Sequence, residues 1–339
     1  MNGLRGMSPL LDCVCSKGSV SWLLCGSDCV ERKHYASGRM YRGRAHQCPA
    51  NPCRSDSGAT GFLLMSGQVP GSGRPRIADH EVLRHLARGT YGSVWLVQSV
   101  LGRCRAAKVV ERRAFASSRQ YEREWTGVRH FEPISRTHPG FVHILQVGRC
   151  PDDTWFYYVM ELADDLRRMP VEDCSEYVPR TLRAELDRRR RLPVLECVLV
   201  ARTLLLALQV LHHRGLVHRD MKPANIIYVD GVPKLADIGT VATQQHGGTS
   251  VGSVGYHPPE GSGRPAGDIF SMGRILYEMF SGVAVQELAD NLPDLTPRLK
   301  NDVERRFYQI IQRSCSFDPR QRPASAGALE QELAALCEV

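Results

Sequence analysis

Residues 216–227 read LVHRDMKPANII, and this stretch decides the fold. Between two apolar runs it brings polar and charged side chains close together: His218, Arg219, Asp220, Lys222 and Asn225. Burying that many polar groups without partners would cost several kcal/mol. The stretch is therefore either a solvated loop or a set of groups held in place for a chemical task, and the other motifs of the chain decide which.

A second acidic motif follows close behind. Asp237 lies twelve residues after Asn225, in the stretch LADIG. Together with Asp220 and Asn225 it supplies two carboxylates and an amide, which are hard oxygen ligands of the kind that suits Mg²⁺ bound to a nucleotide. This combination favours a nucleotide site over a merely solvated loop.

Two upstream features point the same way, although each is weak alone. The stretch ARGTYGSVW at 87–95 carries Gly89 and Gly92, where a backbone without side chains can approach phosphates closely. Lys108 ends the strand-like stretch RAAK, and Glu124 on the next predicted helix is placed to reach back to it. Small-residue hairpin turns are common and a lysine at a strand end is usually exposed, so only the whole series carries weight.

Five motifs occur in a fixed order along the chain: ARGTYGSVW, RAAK, HRDMKPAN, DIG and PPE. In content, order and spacing they resemble the signature of the eukaryotic-like (Hanks-type) serine/threonine protein kinases of bacteria over residues 79–337. The resemblance implies an α+β, two-lobed protein-kinase-like fold with a small β-rich N-lobe and a larger helical C-lobe. It also implies Mg²⁺-assisted in-line transfer of a phosphoryl group from ATP to serine or threonine hydroxyls of protein substrates.

The resemblance assigns the phosphate-binding residues first. Three loop residues would cover the ATP phosphates: Ala87, which stands where the family usually has its first glycine, Gly89 and Gly92. Lys108 would hold the α- and β-phosphates while paired with Glu124, or with Glu122 if the helix register differs by two residues.

It assigns the reacting groups next. Asp220 would orient the substrate hydroxyl and accept its proton, and Lys222, typical of serine/threonine rather than tyrosine kinases, would contact the γ-phosphate. Asn225 and Asp237 would ligate Mg²⁺. The adenine would lie between the lobes against six residues: Val94, Ala106, Met160, Glu161, Ala163 and Ile227.

Supporting positions follow from the same resemblance. His218 and Ile238 would belong to a buried stack that joins the lobes, and Asp268 would anchor the backbone of the catalytic loop. Glu260 would form a buried ion pair with Arg322.

The composition predicts three parts. They are a low-order Cys-, Arg- and Gly-rich segment with a linker at 1–78, an N-lobe at 79–161 and a C-lobe at 162–337. Strand-like stretches dominate the second part and helical patterns the third, as expected for an α+β arrangement. The predicted strands cover 80–89, 93–100, 104–112, 141–150 and 154–162, and the predicted helices cover 117–131, 181–191, 195–212, 267–282, 302–315 and 325–339.

The first part holds six of the twelve cysteines, at positions 13, 15, 25, 29, 48 and 53. Their spacings are not the tight C-x2-C pairs that zinc sites prefer, so reduced thiols in a cytosolic segment are expected, with a zinc module that recruits partners as the alternative. Met65 is a second candidate start of translation.

Net charge and hydropathy limit the classes of partner that we expect for this chain. The formal net charge is +8, and half of this excess lies in the first 73 residues, so we expect no nucleic-acid footprint on the remainder. No apolar run reaches the ~18 residues of a membrane span, and the run at 20–25 is too short for a signal-peptide core. We therefore expect a cytoplasmic protein that acts on protein substrates, with no membrane contact.

Regulation and docking have weaker signals. Hydroxyls at 243, 249, 250 and 253 are acceptors for phosphorylation, including phosphorylation between copies of the chain, but 237–253 contains no Lys or Arg, which favours a weak switch. RRRR at 188–191 is a solvated helix face or a docking site for acidic partners. Two other functions remain open: a catalytically weak, kinase-like nucleotide-binding scaffold (a pseudokinase) and a small-molecule phosphotransferase.

Overall fold

The computed structural model describes residues 74–89, 91–167, 176–237, 254–285 and 292–338, and the backbone at 34–36, 39–41 and 242–243. The chain divides into two compact units, Met1–Leu64 and Met65–Val339. Within the first unit, β1 (His34–Ala36) and β2 (Arg39–Tyr41) pair antiparallel.

The second unit begins with an antiparallel five-stranded sheet in the order β3-β4-β5-β7-β6. Its strands are β3 (His80–Arg88), β4 (Gly92–Ser99), β5 (Cys104–Glu111), β6 (Ile144–Arg149) and β7 (Trp155–Met160). Each starts within three residues of its predicted start, since alternating apolar residues with glycine-containing turns are strong strand signals.

The two faces of the sheet pack differently. Along β7, Tyr157 and Val159 face a small cluster with Ile77 and Val82. The alternate positions Phe156, Tyr158 and Met160 face the main hydrophobic core, which extends through the rest of the unit. Because side chains alternate along a strand, this register determines which β7 residues approach the candidate site.

Helix α1 (Ser118–Ser135) packs beside this sheet. The Ser117 hydroxyl caps it by accepting a hydrogen bond from Gln120 N at 3.3 Å. Its buried residues include Tyr121, Glu124 and Val128, spaced three and four apart on one face. The helix continues past the predicted end at 131 through Pro133, because Phe131 and Ser135 are also buried and the packing outweighs the local proline signal.

The helical lobe contains α2 (Leu182–Arg189), α3 (Val194–His213), α4 (Pro265–Ser281), α5 (Asp302–Ser314) and α6 (Ala326–Ala334). Helix α3 packs against α4 and α6. By length and composition alone α3 is apolar enough to cross a membrane, but half of its most apolar window is buried in the unit, as in the core helix of a globular lobe. The five-stranded sheet followed by these helices confirms the expected two-lobed α+β fold.

Among the described residues, four further short strands belong to this lobe, and two of them flank the HRDMKPAN motif. They are β8 (Leu216–Val217), β9 (Ile226–Val229), β10 (Val232–Leu235) and β11 (Ala242–Thr243). Strand β8 pairs with β11 and β9 with β10, both antiparallel. The HRDMKPAN stretch therefore leaves β8 and enters β9, and Asp237 follows the end of β10.

Candidate active site

The glycine-rich loop closes the β3–β4 hairpin. Gly89 N donates to Gly92 O at 2.8 Å, and Ala87 lies opposite Val94 in the ladder. A Cβ on Gly92 would lie 1.9 Å from Val109 O, so the close approach of β4 to β5 requires glycine there. Gly89 has no such close neighbour, since a Cβ there would meet only Gly92 O, at 3.8 Å.

Lys108 lies on β5 with only 7% of its surface exposed. Its ammonium forms an ion pair with Asp237. Burial by itself would lower the pKa of Lys108, but Asp237, Tyr158 and Glu124 outweigh it and raise the pKa above its ordinary value. Lys108 is therefore positively charged at neutral pH.

The expected ion pair between Lys108 and Glu124 is not formed among the residues that the structure describes, where Lys108 pairs with Asp237 instead. Glu124 is buried beside this pair, and burial raises its pKa to about 8. The Lys108 ammonium opposes this rise in the pKa of Glu124 without forming a direct ion pair with it among the described residues. Burial would raise the pKa of Asp237 as well, but the Lys108 ammonium outweighs it and holds that pKa below its ordinary value.

The helix register nevertheless selects Glu124 over the alternative. Glu122 lies on the outer side of α1 and pairs with Arg112 at 3.0 Å and Arg149 at 2.5 Å. Glu124 is the residue of the two that faces Lys108.

The catalytic-loop residues meet in one hydrogen-bonded group. The Asp220 carboxylate accepts from Lys222 Nζ at 2.7 Å and from Asn225 Nδ2 at 2.9 Å. Asn225 Nδ2 also donates to Asp220 O at 2.9 Å. Asp220 is only 9% exposed, and these neighbours orient its carboxylate.

Asp268, in the first turn of α4, anchors this loop as expected. Its two carboxylate oxygens accept from His218 N and Arg219 N, each at 2.9 Å. His212 Nε2 at the end of α3 lies 2.9 Å from Asp268 Oδ2. Burial would raise the pKa of Asp268, but His212 and the other hydrogen bonds lower it, so the carboxylate stays charged.

The catalytic loop and the Asp237 segment are joined through the backbone. Ala236 N donates to Asn225 O at 2.9 Å, and His218 Nε2 lies 3.1 Å from Ala236 O. Asp237 itself has a φ of 55°, a left-handed conformation that aspartate tolerates better than most residues. These contacts fix Asp237 and Lys108 relative to Asp220.

The residues expected around adenine lie on neighbouring elements. Ala106 is opposite Met160 in the β5–β7 ladder, and both are buried. Glu161 N is already bonded to His143 O at 3.2 Å, so the Glu161 carbonyl is the group left for a base. The others are also present in or against the main core: Ala163 is buried, and Val94 and Ile227 are partly buried.

The predictions for residues outside the nucleotide site have different outcomes. Glu260 and Arg322 form the expected ion pair, with oxygen–nitrogen distances of 2.5 and 2.9 Å, but only Arg322 is buried, since Glu260 lies at the surface. In the RRRR stretch, Arg188 pairs with Glu185 and Arg189 with Glu196. Ile238, the side chains of the phosphorylation candidates and the six N-terminal cysteines lie outside the described residues. Within the described ranges, no group of His, Cys, Asp and Glu could hold a metal ion by itself.

Sequence reasoning missed three residues of the site. His212 holds Asp268, Lys234 Nζ lies 2.7 Å from the Glu161 carboxylate, and Tyr158 is buried opposite Lys108. Only Tyr158 had a usable signal, since it shares a strand face with Met160.

Comparison with known proteins agrees with this geometry. The sequence profile of the protein kinase domain matches residues 80–334. The serine/threonine-protein kinase PknA of Mycobacterium tuberculosis is 30% identical over 295 residues, covering 78% of this chain and 62% of the relative. PknL of the same species is 32% identical over 179 residues, covering 47% of this chain and 45% of the relative.

A third relative is the DNA damage-responsive serine/threonine-protein kinase RqkA of Deinococcus radiodurans, 28% identical over 280 residues, covering 74% of this chain and 38% of the relative. The chain thus spans less than two thirds of the length of each of these relatives. It belongs to the protein kinase domain family.

Proposed function

We propose that this protein transfers the γ-phosphoryl group of ATP to serine and threonine hydroxyls of protein substrates. The observation that carries the proposal is the joining of two charged groups into one site. Lys108 pairs with Asp237, and Asp220 with Lys222 and Asn225, while the Ala236 N to Asn225 O bond ties the two together.

The residues present fit a nucleotide and a divalent cation. Protein kinases use ATP with a metal ion, and phosphoryl transfer needs charge neutralisation and positioning more than covalent help from the protein. Asp237 and Asn225 offer hard oxygen donors of the kind that Mg²⁺ prefers. Lys108 adds a positive charge, and the glycine at position 89 leaves open space where a side chain would otherwise lie.

Each residue then has a defined task. The bound metal ion would neutralise charge on the phosphates. Lys108 would orient the α- and β-phosphates, and Asp237 and Asn225 would hold the metal ion. Asp220, oriented by Asn225 and Lys222, would align the acceptor hydroxyl and take its proton, while Lys222 would neutralise charge at the transferred group.

Serine and threonine are the proposed acceptors because Lys222 follows Asp220 by two residues and because the named relatives are serine/threonine-protein kinases. Phosphorylation between two copies of the chain is part of the proposal, with the hydroxyls at 243–253 as acceptors. A cytoplasmic location remains a prediction.

The test is incubation of the full chain with radiolabelled ATP, Mg²⁺ and generic protein acceptors, followed by phosphoamino acid analysis. We expect label on serine and threonine with wild type and none with Asp220→Ala. Nucleotide binding without transfer would instead favour the scaffold function, and label on small molecules alone would favour a small-molecule phosphotransferase.

A further inference from the structure

A cavity of about 330 Å³ lies in the helical lobe, and none of the residues that line it belongs to the candidate active site. It forms where the turn between α2 and α3 meets the end of α4 and the segment that leads into α5. Leu192 and Leu295 are buried in its wall, and three other apolar lining residues are half-buried against the main core: Val194, Phe280 and Leu299. The cavity therefore has an apolar wall that continues the core towards the surface.

The turn between α2 and α3 is held firmly against α4. Leu192 N donates to Met279 O at 2.7 Å, and Arg190 N donates to Leu186 O at 2.7 Å. Gly282, which ends α4 with a φ of 73°, lies so close that a Cβ there would be 3.2 Å from Arg190 O. The backbone that carries the neighbouring Arg191 to the cavity is thus fixed relative to α4.

Three cations line the cavity, and their charges are not used by the fold. Arg191, Arg298 and Lys300 are exposed, and none of them forms an ion pair with a residue in the described ranges. The first two arginines of the RRRR stretch, in contrast, are both paired with glutamates. The end of that stretch therefore presents its charge to the cavity instead of to a neighbouring side chain.

The lining also includes one carboxylate, Glu304, which caps helix α5. Its Oε2 accepts from Lys300 N at 2.7 Å, while Glu304 N donates to Asn301 Oδ1 at 2.8 Å. This reciprocal arrangement is a capping box, which holds the carboxylate at the helix terminus. Three cations against one carboxylate leave the lining with a net charge of +2.

We propose that this cavity docks an acidic segment of protein substrates. One apolar side chain of the segment enters the cavity, and acidic residues on either side of it pair with Arg191, Arg298 and Lys300. Three separate cations suit several carboxylates along a peptide better than a single anionic group, and buried anchors with a charged rim are typical of peptide docking. The cavity volume lies at the lower end of the ~300–1,000 Å³ of ligand pockets, as expected for one anchoring side chain.

Docking at this distance from the reacting groups would raise the local concentration of a substrate without a contact to the transferred phosphate. It should therefore lower KM and leave kcat unchanged. The inference rests on the proposed function only in taking the docked protein as a substrate.

The first experiment measures binding by fluorescence anisotropy, using the full chain and a labelled peptide in which three glutamates precede and three follow one phenylalanine. Wild type should bind with a Kd on the order of 10 μM, and the double variant Arg191→Gln/Arg298→Gln should bind about tenfold more weakly, through the loss of two exposed ion pairs. A peptide with serine in place of phenylalanine should also bind about tenfold more weakly, because it has no apolar anchor.

Arg190→Gln is the matched control. It removes the same charge from the same stretch, but Arg190 does not line the cavity, so the Kd should change less than about twofold. All three substituted arginines are exposed, and each variant should keep the wild-type unfolding temperature.

The second experiment measures transfer to a serine-containing acceptor peptide joined by a flexible linker to either of the two glutamate peptides. The phenylalanine form should have a KM about tenfold lower than that of the serine form at equal kcat, and the double variant should lose this difference. A KM that is the same for both forms would overturn docking of substrates.

The binding experiment can overturn the inference by itself. It fails if wild type does not bind the phenylalanine peptide, if wild type and the double variant bind it equally, if Arg190→Gln weakens it as much, or if both peptides bind equally well. Binding of phosphatidylserine vesicles without binding of the peptide would assign the cavity to a lipid surface instead. Wild type that binds the peptide but transfers no phosphate would refute the proposed function alone.

Discussion

At the scale of single residues, the charge of each carboxyl group follows from its contact with Lys108. Burial would raise the pKa of Asp237, but its direct ion pair with the Lys108 ammonium keeps that pKa below its ordinary value. Glu124 makes no such pair among the described residues, and burial raises its pKa to about 8. Two carboxyl groups near one ammonium thus have different protonation states at pH 7. The family resemblance pairs Lys108 with Glu124, but residue types alone do not reveal how deeply each carboxyl is buried.

The substitution Asp237→Asn tests the ion pair between Asp237 and Lys108. The amide keeps the shape and tolerates the φ of 55°, but it loses the charge that pairs with Lys108. We expect phosphoryl transfer to fall by roughly 10²–10³-fold, the effect of removing one preorganised electrostatic group. Asp230→Asn is the matched control: it has a φ of 52°, lies in the exposed β9–β10 turn and should leave the rate unchanged.

Glu124 gives a prediction on pH. Its pKa in the folded state, about 8, exceeds the ordinary value of 4.5, so between these values the folded chain binds more protons at this site than the unfolded chain. The free energy of unfolding of wild type should therefore fall, relative to that of Glu124→Gln, as pH rises from 5 to 8, by at most ~1.4 kcal/mol per pH unit. Urea titrations at several pH values measure this difference, and a difference that is constant with pH would refute the assignment.

At the scale of elements, the site is built where strands and helices end. Asp268, in the first turn of α4, holds two backbone N–H groups of the catalytic loop, and His212, in the last turn of α3, holds Asp268. The loop is thus fixed by contacts between elements that are distant in sequence. This explains how a short stretch with so many polar groups can be buried.

Asp268→Ala should therefore loosen the loop and destabilise the fold. Each buried N–H left without its acceptor costs ~1–3 kcal/mol. The comparison is Asp302→Ala in the first turn of α5, whose exposed ion pair with Arg305 is worth at most ~1 kcal/mol. Chemical denaturation of both variants measures the two costs, and equal costs would contradict the anchoring role.

Prediction from sequence succeeded where signals are local. The starts of β3 to β7 follow from alternating apolar residues and turns, and the HRDMKPAN motif is recognised from its resemblance to kinases. Prediction from sequence failed where tertiary packing determines the structure. Helix α1 continues through Pro133 because Ser135 is buried, and the partner of Lys108 depends on the depth of Glu124. Contacts such as His212 with Asp268 join residues 56 positions apart, which no local pattern reveals.

At the scale of the whole molecule, the match to the kinase family and the first compact unit occupy different parts of the chain. The family match begins at residue 80, and the division into units falls after Leu64. Ile77, within the predicted linker, is only 5% exposed and packs in the same cluster as Val82. Some residues before the family match thus belong to the N-lobe core.

Two truncations test where the folded kinase begins. A chain that starts at Arg74 should keep wild-type phosphoryl transfer and unfolding temperature. A chain that starts at His80 loses Ile77 and the hydrogen bond between Ala78 N and the Tyr157 hydroxyl, and burying an isoleucine is worth ~1.5–3 kcal/mol. Calorimetric unfolding of both chains should show a lower transition temperature only for the shorter one; equal temperatures would show that Ile77 contributes nothing.

The central claim is that Asp220 acts on the acceptor hydroxyl beside a nucleotide held by Lys108 and Asp237. The most direct measurement is the rate of phosphoryl transfer at saturating Mg·ATP for wild type and Asp220→Asn. We predict a fall of about 10²–10⁴-fold, the usual contribution of a positioned general base, with ATP affinity nearly unchanged. An Asp220→Asn chain that transfers phosphate at the wild-type rate would contradict the account.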